Sequence, residues 1–134
     1  MSVLPDIYRA YLDCLNQQDL ARLGEYVDEA VVHNGRHLGL AGYRAMIEAD
    51  FRQFPDLRYE PELVVCEPPL LAARLMFNCT PVGEFLGLPV NGRRISFAEN
   101  IFYAFEAGRI KTAWSVIDKT AVEAQLGSRT FSRS

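Results

Sequence analysis

The stretch from Asn91 to Asp118 constrains this chain more than any other, because it reads as two long strands joined by a turn of only two residues. Ala107-Gly108 is that turn, and glycine supplies the positive φ that so tight a connection requires. The flanks alternate with a period of two. Ile95, Phe97, Ile101, Tyr103 and Phe105 share one face upstream, and Ile110, Trp114 and Val116 share one downstream. With Glu106 opposite Arg109, a regular ladder pairs Phe105 with Ile110, Tyr103 with Thr112, Ile101 with Trp114, Glu99 with Val116 and Phe97 with Asp118. Glu99 and Asp118 then fall on the apolar face as diagonal neighbours, with Cβ atoms roughly 7 Å apart. Carboxylates are expensive to bury among aromatic and branched side chains, and such a cost marks a candidate site.

The remaining sequence reads as a cover for this hairpin. Leu4, Ile7, Tyr8, Tyr11, Leu12 and Leu15 recur at helical spacing, with Pro5 tolerated in the first turn. Asp19 is placed to cap a second, shorter helix through Leu20, Leu23, Tyr26 and Val27. Ala30-Val31-Val32 forms a short apolar piece before the turn His33-Asn34-Gly35. A third helix buries Tyr43, Met46, Ile47, Phe51 and Phe54, and Pro55 ends it. Beyond it the period changes to two, in strands around Leu57 to Val65 and Leu71 to Cys79. Pro61 assigns the first of these to a sheet edge. After Asp118, Ala121, Val122 and Leu126 suit a short closing helix ended by Gly127. The expected class is α+β: a curved antiparallel sheet of about four main strands wrapped on three N-terminal helices, with a pocket between the layers.

Size and charge narrow the function. A chain of 134 residues suits a single domain over 1–134 that buries about two thirds of its unfolded surface, with 128–134 expected to fray. The net charge of −3, with Lys and Arg scattered, argues against nucleic-acid binding. No apolar run approaches a membrane span, and no signal peptide is visible. Three unpatterned cysteines in apolar surroundings argue for reduced thiols and a cytoplasmic setting. His33 and His37 are four apart, but Asn34-Gly35 breaks any helix that would align them and no third ligand is evident, so no metal is expected. The Gly83 to Gly92 loop lacks the Lys and Ser/Thr of a phosphate-binding loop.

Several segments together resemble the SnoaL-like polyketide cyclases and ester cyclases of the NTF2-like superfamily. They are Asn16-Gln17-Gln18-Asp19-Leu20, Phe54-Pro55-Asp56-Leu57-Arg58, Gly83-Glu84-Phe85-Leu86-Gly87-Leu88-Pro89, Asn91-Gly92-Arg93-Arg94, Phe105-Glu106-Ala107-Gly108-Arg109-Ile110, Trp114-Ser115-Val116-Ile117-Asp118 and Gln125-Leu126-Gly127. The resemblance covers nearly the whole chain. It implies a cone with an apolar cavity, assembly as a dimer or tetramer, and a cofactor-free intramolecular aldol cyclisation. It also implies that Asp118, after the tryptophan, is the acid/base. One departure stands out: where members commonly carry Thr-His-x-Gly, this chain has Thr80-Pro81-Val82-Gly83.

The candidate site therefore has Asp118 as catalytic carboxyl, raised in pKa by an apolar cavity so that it can serve as base and then acid. The competing role for Asp118 is a strand-end cap for the backbone at Thr120 and Ala121. Glu99 is the second carboxyl, with solvent or Arg74 as its alternative partner. His33 and Asn34 are placed to polarise a substrate carbonyl. Trp114, Phe97, Tyr103, Tyr8 and Tyr11 are placed to line a cavity for a small planar or otherwise apolar molecule, although aromatic residues at such spacings also serve as plain core. Three functions are in view: a cofactor-independent cyclase-type enzyme on a small apolar carbonyl or polyketide-like substrate, a non-catalytic ligand-binding or dimerisation module, and an isomerase or dehydratase using the same aspartate. A homodimer is the expected assembly.

Overall fold

The computed structural model describes residues 3–89 and 92–131, with side chains as far as Leu126. Asn91, where the hairpin reading begins, and 132–134, the end of the expected tail, lie outside the described residues. The order is α1 (Leu4–Asn16), a 3-10 turn (Leu20–Glu25), β1 (Val27–His33), β2 (Arg36–His37), α2 (Gly39–Gln53), β3 (Glu60–Glu67), β4 (Leu70–Cys79), β5 (Ile95–Glu106), β6 (Arg109–Ile117) and α3 (Lys119–Phe131). The expected α+β class holds, with six strands in one curved, open sheet ordered β2-β1-β6-β5-β4-β3.

Two corrections concern local structure. The second helix is a 3-10 turn that Asp19 does not cap, and the chain from Val27 already runs as a strand. That strand pairs parallel to β6 and antiparallel to β2, so the short apolar piece is a structural member of the sheet. The closing helix also continues past Gly127 to Phe131.

Helix α1 turns Tyr8, Tyr11, Leu12 and Leu15 on to the inner face of the sheet, as its apolar spacing dictates. Its last residue, Asn16, ties the two layers together. The side-chain amide donates to the carbonyl of Tyr59 at 3.0 Å, and its oxygen accepts from the Tyr59 N–H at 2.7 Å. Phe54, Phe77, Phe85 and Phe97 close one end of the cone, with the Phe54–Phe85 centroids 4.8 Å apart at 89° and Phe85–Phe97 at 5.0 Å. Phe97 is therefore core. No helix among the described residues is long and apolar enough to cross a membrane.

The β5–β6 hairpin turns at Ala107 (φ 53°) and Gly108 (φ 78°), the left-handed pair that a two-residue turn needs. Its register then departs from the regular ladder. Phe105 pairs with Ile110, but Ala104 pairs with Thr112, so Lys111 is an extra residue in a β-bulge. Every later partner shifts by one: Tyr103 faces Ala113, Phe102 faces Trp114, Ile101 faces Ser115 and Glu99 faces Ile117. A one-residue shift exchanges the two faces of a strand. Trp114 and Val116 consequently point outward, at 47% and 65% exposure, and Ala113, Ser115 and Ile117 take the inner face. Trp114 is thus not on the inner wall that the regular ladder assigned to it.

Candidate active site

The shift in register opens a cavity of about 450 Å³ between α1, α2 and the inner face of β5, β6 and the end of β1. Small Ala113 and Ser115 stand where a tryptophan would have filled the space. Of the residues expected at a site, His33, Asn34, Glu99 and Tyr103 line this cavity. Tyr8 lies one layer behind, its hydroxyl 3.1 Å from that of Tyr103. Asp118 does not line the cavity: its N–H donates to the Ala98 carbonyl at 2.9 Å, and its Oδ1 accepts from the Ala121 N–H at 3.1 Å. That geometry makes Asp118 the N-cap of α3.

A second carboxyl does enter the cavity, from α2. Tyr43, Ile47, Asp50 and Phe54 fall on one helical face, and the helix presents Asp50 to the space that Glu99 borders from β5. Burial raises the Asp50 carboxyl to about 6. Burial, and then the charge of Asp50, raise Glu99 to about 7, against a hydrogen bond from the Ser115 hydroxyl that favours its ionised form. Both carboxyls are thus pushed up towards neutral pH. Ionised and protonated carboxyls are then both populated in one largely apolar cavity near neutral pH.

The polar groups around the pair form a chain. The Ser115 hydroxyl lies 3.0 Å from His33 Nε2, on the cavity wall that Glu99 shares. Burial, and next the neighbouring Arg36, lower the His33 pKa, which keeps the ring neutral near pH 7. Asn34 fixes this chain in place: its amide oxygen accepts from the Ser115 N–H at 2.8 Å and its amide N–H donates to the Ser115 carbonyl at 3.2 Å. The left-handed φ of Asn34, 48°, turns its side chain across to β6. Across the cavity, the hydroxyls of Tyr11 and Tyr43 lie 2.7 Å apart, and burial raises Tyr43 to about 12.

No set of three His, Cys, Asp or Glu side chains among the described residues is grouped to hold a metal ion. Asp50, Ser115 and Tyr59 were not among the candidates read from the sequence. The signal for Asp50 is an acid standing on the buried stripe of a helix, four residues before Phe54 and seven after Tyr43. Ser115 carries no such mark, because its face depends on the bulge.

Comparison with known proteins agrees with this architecture. The family model for SnoaL-like polyketide cyclases matches residues 5–126. The chain belongs to the SnoaL-like polyketide cyclase family. A crystal structure of a SnoaL-like polyketide cyclase from Agrobacterium tumefaciens is 55% identical, with a TM-score of 0.93 over 94% of this chain and 99% of that one. TsrD from Streptomyces laurentii is 26% identical, with a TM-score of 0.79 over 92% of this chain and 93% of its own. IdmH from Streptomyces antibioticus, at 23% identity and a TM-score of 0.80 over 94% of this chain and 99% of its own, shares the fold. No functionally curated protein matches. Within this SnoaL-like chain, position 81 is buried and does not line the cavity, so proline there takes nothing from the carboxyl pair.

Proposed function

We propose that this chain is a cofactor-independent acid/base enzyme that removes a proton α to a carbonyl in a small, neutral, polyketide-like substrate and closes a ring by aldol addition. The observation that carries this reading is the placement of two carboxyls, Asp50 and Glu99, on the lining of one largely apolar cavity, each pushed up in pKa by burial. The Asp50 carboxylate takes the α-proton, and the C–H electron pair becomes the enolate double bond. The enolate carbon attacks a second carbonyl of the same molecule, forming the C–C bond. The Glu99 carboxyl then protonates the new alkoxide. The pair ends with the single proton it began with, moved from Glu99 to Asp50. His33 and Ser115 hold Glu99 in place and carry no net charge through the cycle.

Apart from Lys119, the side chains lining the cavity are acidic, phenolic, apolar or neutral polar, which favours an uncharged substrate. An apolar cavity of about 150 Å³ admits one benzene ring, so the volume here suits about three fused or tethered rings. Exchange of α-protons for deuterium in a panel of cyclic ketones, followed by NMR, tests the reading. Exchange that Asp50→Asn abolishes, with ring closure of a diketone that Glu99→Gln abolishes, supports it. Binding without exchange assigns the chain to the ligand-binding modules of the superfamily.

The same reading takes the partner to be a second copy of this chain. Val65, Ala72, Phe102 and Trp114 lie in register across β3 to β6 on the outer face, beside a hollow of about 330 Å³ flanked by Leu63, Val65 and Phe102. Contiguous exposed apolar surface of this kind marks an interface. Projecting Trp114 and the hollow occupy one face, the self-complementarity that a two-fold dimer uses. Cys14, Cys66 and Cys79 are all free thiols, which suits a reducing compartment such as the cytoplasm.

A further inference from the structure

The tyrosines around the cavity divide into those that satisfy one another and one that does not. Tyr8 pairs with Tyr103, and Tyr11 with Tyr43. Tyr59 borders the cavity at 6% exposure, yet its hydroxyl has no hydrogen-bond partner among the described residues. Nor is that hydroxyl sealed away, because no fully buried side-chain nitrogen or oxygen among the described residues lacks a partner. It opens on to free space. Tyr59 lines the same cavity as the carboxyls of Asp50 and Glu99.

The ring is held from three directions. Asn16 grips the Tyr59 N–H and carbonyl, so the backbone cannot shift along α1. Phe51 meets the ring edge-on with centroids 6.1 Å apart, and Phe77 does so at 5.4 Å. A donor on a ring held so firmly, lining a cavity that two carboxyls also line and left without a protein acceptor, is pre-organised for an oxygen that arrives with the substrate.

We propose that Tyr59 is a catalytic residue whose O–H donates to the substrate carbonyl oxygen while the Asp50–Glu99 pair removes the adjacent α-proton. This inference rests on the acid/base reading above. As the C–H pair becomes the enolate double bond, the carbonyl π pair moves on to oxygen, and Tyr59 holds the negative charge there without giving up its proton. Burial raises the phenol well above its ordinary value, so it remains a neutral donor throughout. The substrate class follows: a ketone whose carbonyl reaches Tyr59 and whose α-carbon lies between the two carboxyls.

The test uses 2-tetralone carrying ¹³C at its carbonyl, with the full-length chain. Bound to the unmodified protein, the carbonyl resonance moves downfield, as a strong hydrogen bond requires, and the α-protons exchange. Tyr59→Phe keeps the ring contacts, loses the downfield shift and lowers kcat for exchange about 100-fold with little change in KM. Tyr26→Phe, away from the cavity, keeps both. Asp50→Asn abolishes exchange and keeps the shift. A shift and rate unchanged in Tyr59→Phe overturn the assignment of Tyr59. Full exchange in Asp50→Asn overturns the acid/base reading, while the shift still decides the hydrogen bond. Failure of the unmodified protein to shift the resonance at saturating 2-tetralone overturns the proposal.

Discussion

The two faces of the β5–β6 hairpin carry opposite chemistry on neighbouring residues. Inward, Glu99, Ile101, Tyr103, Ala113 and Ser115 line the cavity and bring a carboxyl, a phenol and a hydroxyl to it. Outward, Phe102, Trp114 and Val116 present large apolar surface to the exterior. A single extra residue, Lys111, decides which set lies on which side. Without it the tryptophan faces inward, Ser115 faces outward, and Glu99 loses its hydroxyl partner. The comparison teaches that the cavity and the candidate interface come from one local irregularity, yet their predicted functions separate cleanly by mutation.

The largest effect belongs to the inner face. Asp50→Asn is expected to lower the rate of α-proton exchange, and Glu99→Gln the rate of ring closure of a diketone, each by about 10² to 10⁴, the range for loss of a positioned acid or base. Sedimentation of both variants should match the unmodified chain, since neither residue reaches the outer face. A wild-type rate in both variants breaks the assignment of chemistry to this face.

The same carboxyls make stability depend on pH. Each has a folded-state pKa above its ordinary value, so the fold favours the protonated forms. Their stabilising contribution is full below about pH 4 and is lost as the pH rises through 6 for Asp50 and 7 for Glu99. Moving Glu99 from its ordinary value of 4.5 to about 7 corresponds to about 3 kcal/mol. Chemical denaturation at pH 5 and pH 8 should show this loss in the unmodified chain and a smaller one in Glu99→Gln. An equal loss in both removes Glu99 as its source.

On the outer face, Trp114→Lys places a charge at the centre of the apolar row. A tryptophan at the core of an interface commonly contributes at least about 2 kcal/mol, so the dimer dissociation constant should rise about 30-fold or more. Light scattering across a dilution series measures it. Ketone binding in the cavity should persist, since the Trp114 side chain points away from it. A dimer indifferent to Trp114→Lys moves the interface elsewhere.

Much of this arrangement was legible in the chain, and the failures share a cause. Helix α1, the ending of α2 at Pro55, the turn at Ala107-Gly108 and the edge position of the strand carrying Pro61 follow from local chemistry. Glu99 and His33 were legible as polar residues in apolar surroundings. Trp114 and Asp118 were misplaced because alternation carries face information only while the register is unbroken, and nothing in Ile110-Lys111-Thr112 announces a bulge. The bulge is favoured by tertiary packing: Ala113 is buried beside Tyr103, and Lys111 reaches Asp28 at 3.4 Å. Asp50 escapes for another reason, since the apolar stripe of its helix reads as core and the acid standing among those residues draws no separate reading.

The smallest effect distinguishes what Asp118 does from what the family resemblance implied. Its Oδ1 caps the first turn of α3 at the Ala121 N–H, a contact whose removal costs about 1 kcal/mol in Asp118→Ala. Asparagine caps nearly as well, so Asp118→Asn should keep the stability of the unmodified chain. The two readings then diverge on the rate alone. With the acid/base chemistry at Asp50 and Glu99, Asp118→Asn exchanges α-protons as fast as the unmodified chain. A fall of 100-fold or more in a folded Asp118→Asn would return the catalytic carboxyl to the end of β6 and make the cavity pair secondary.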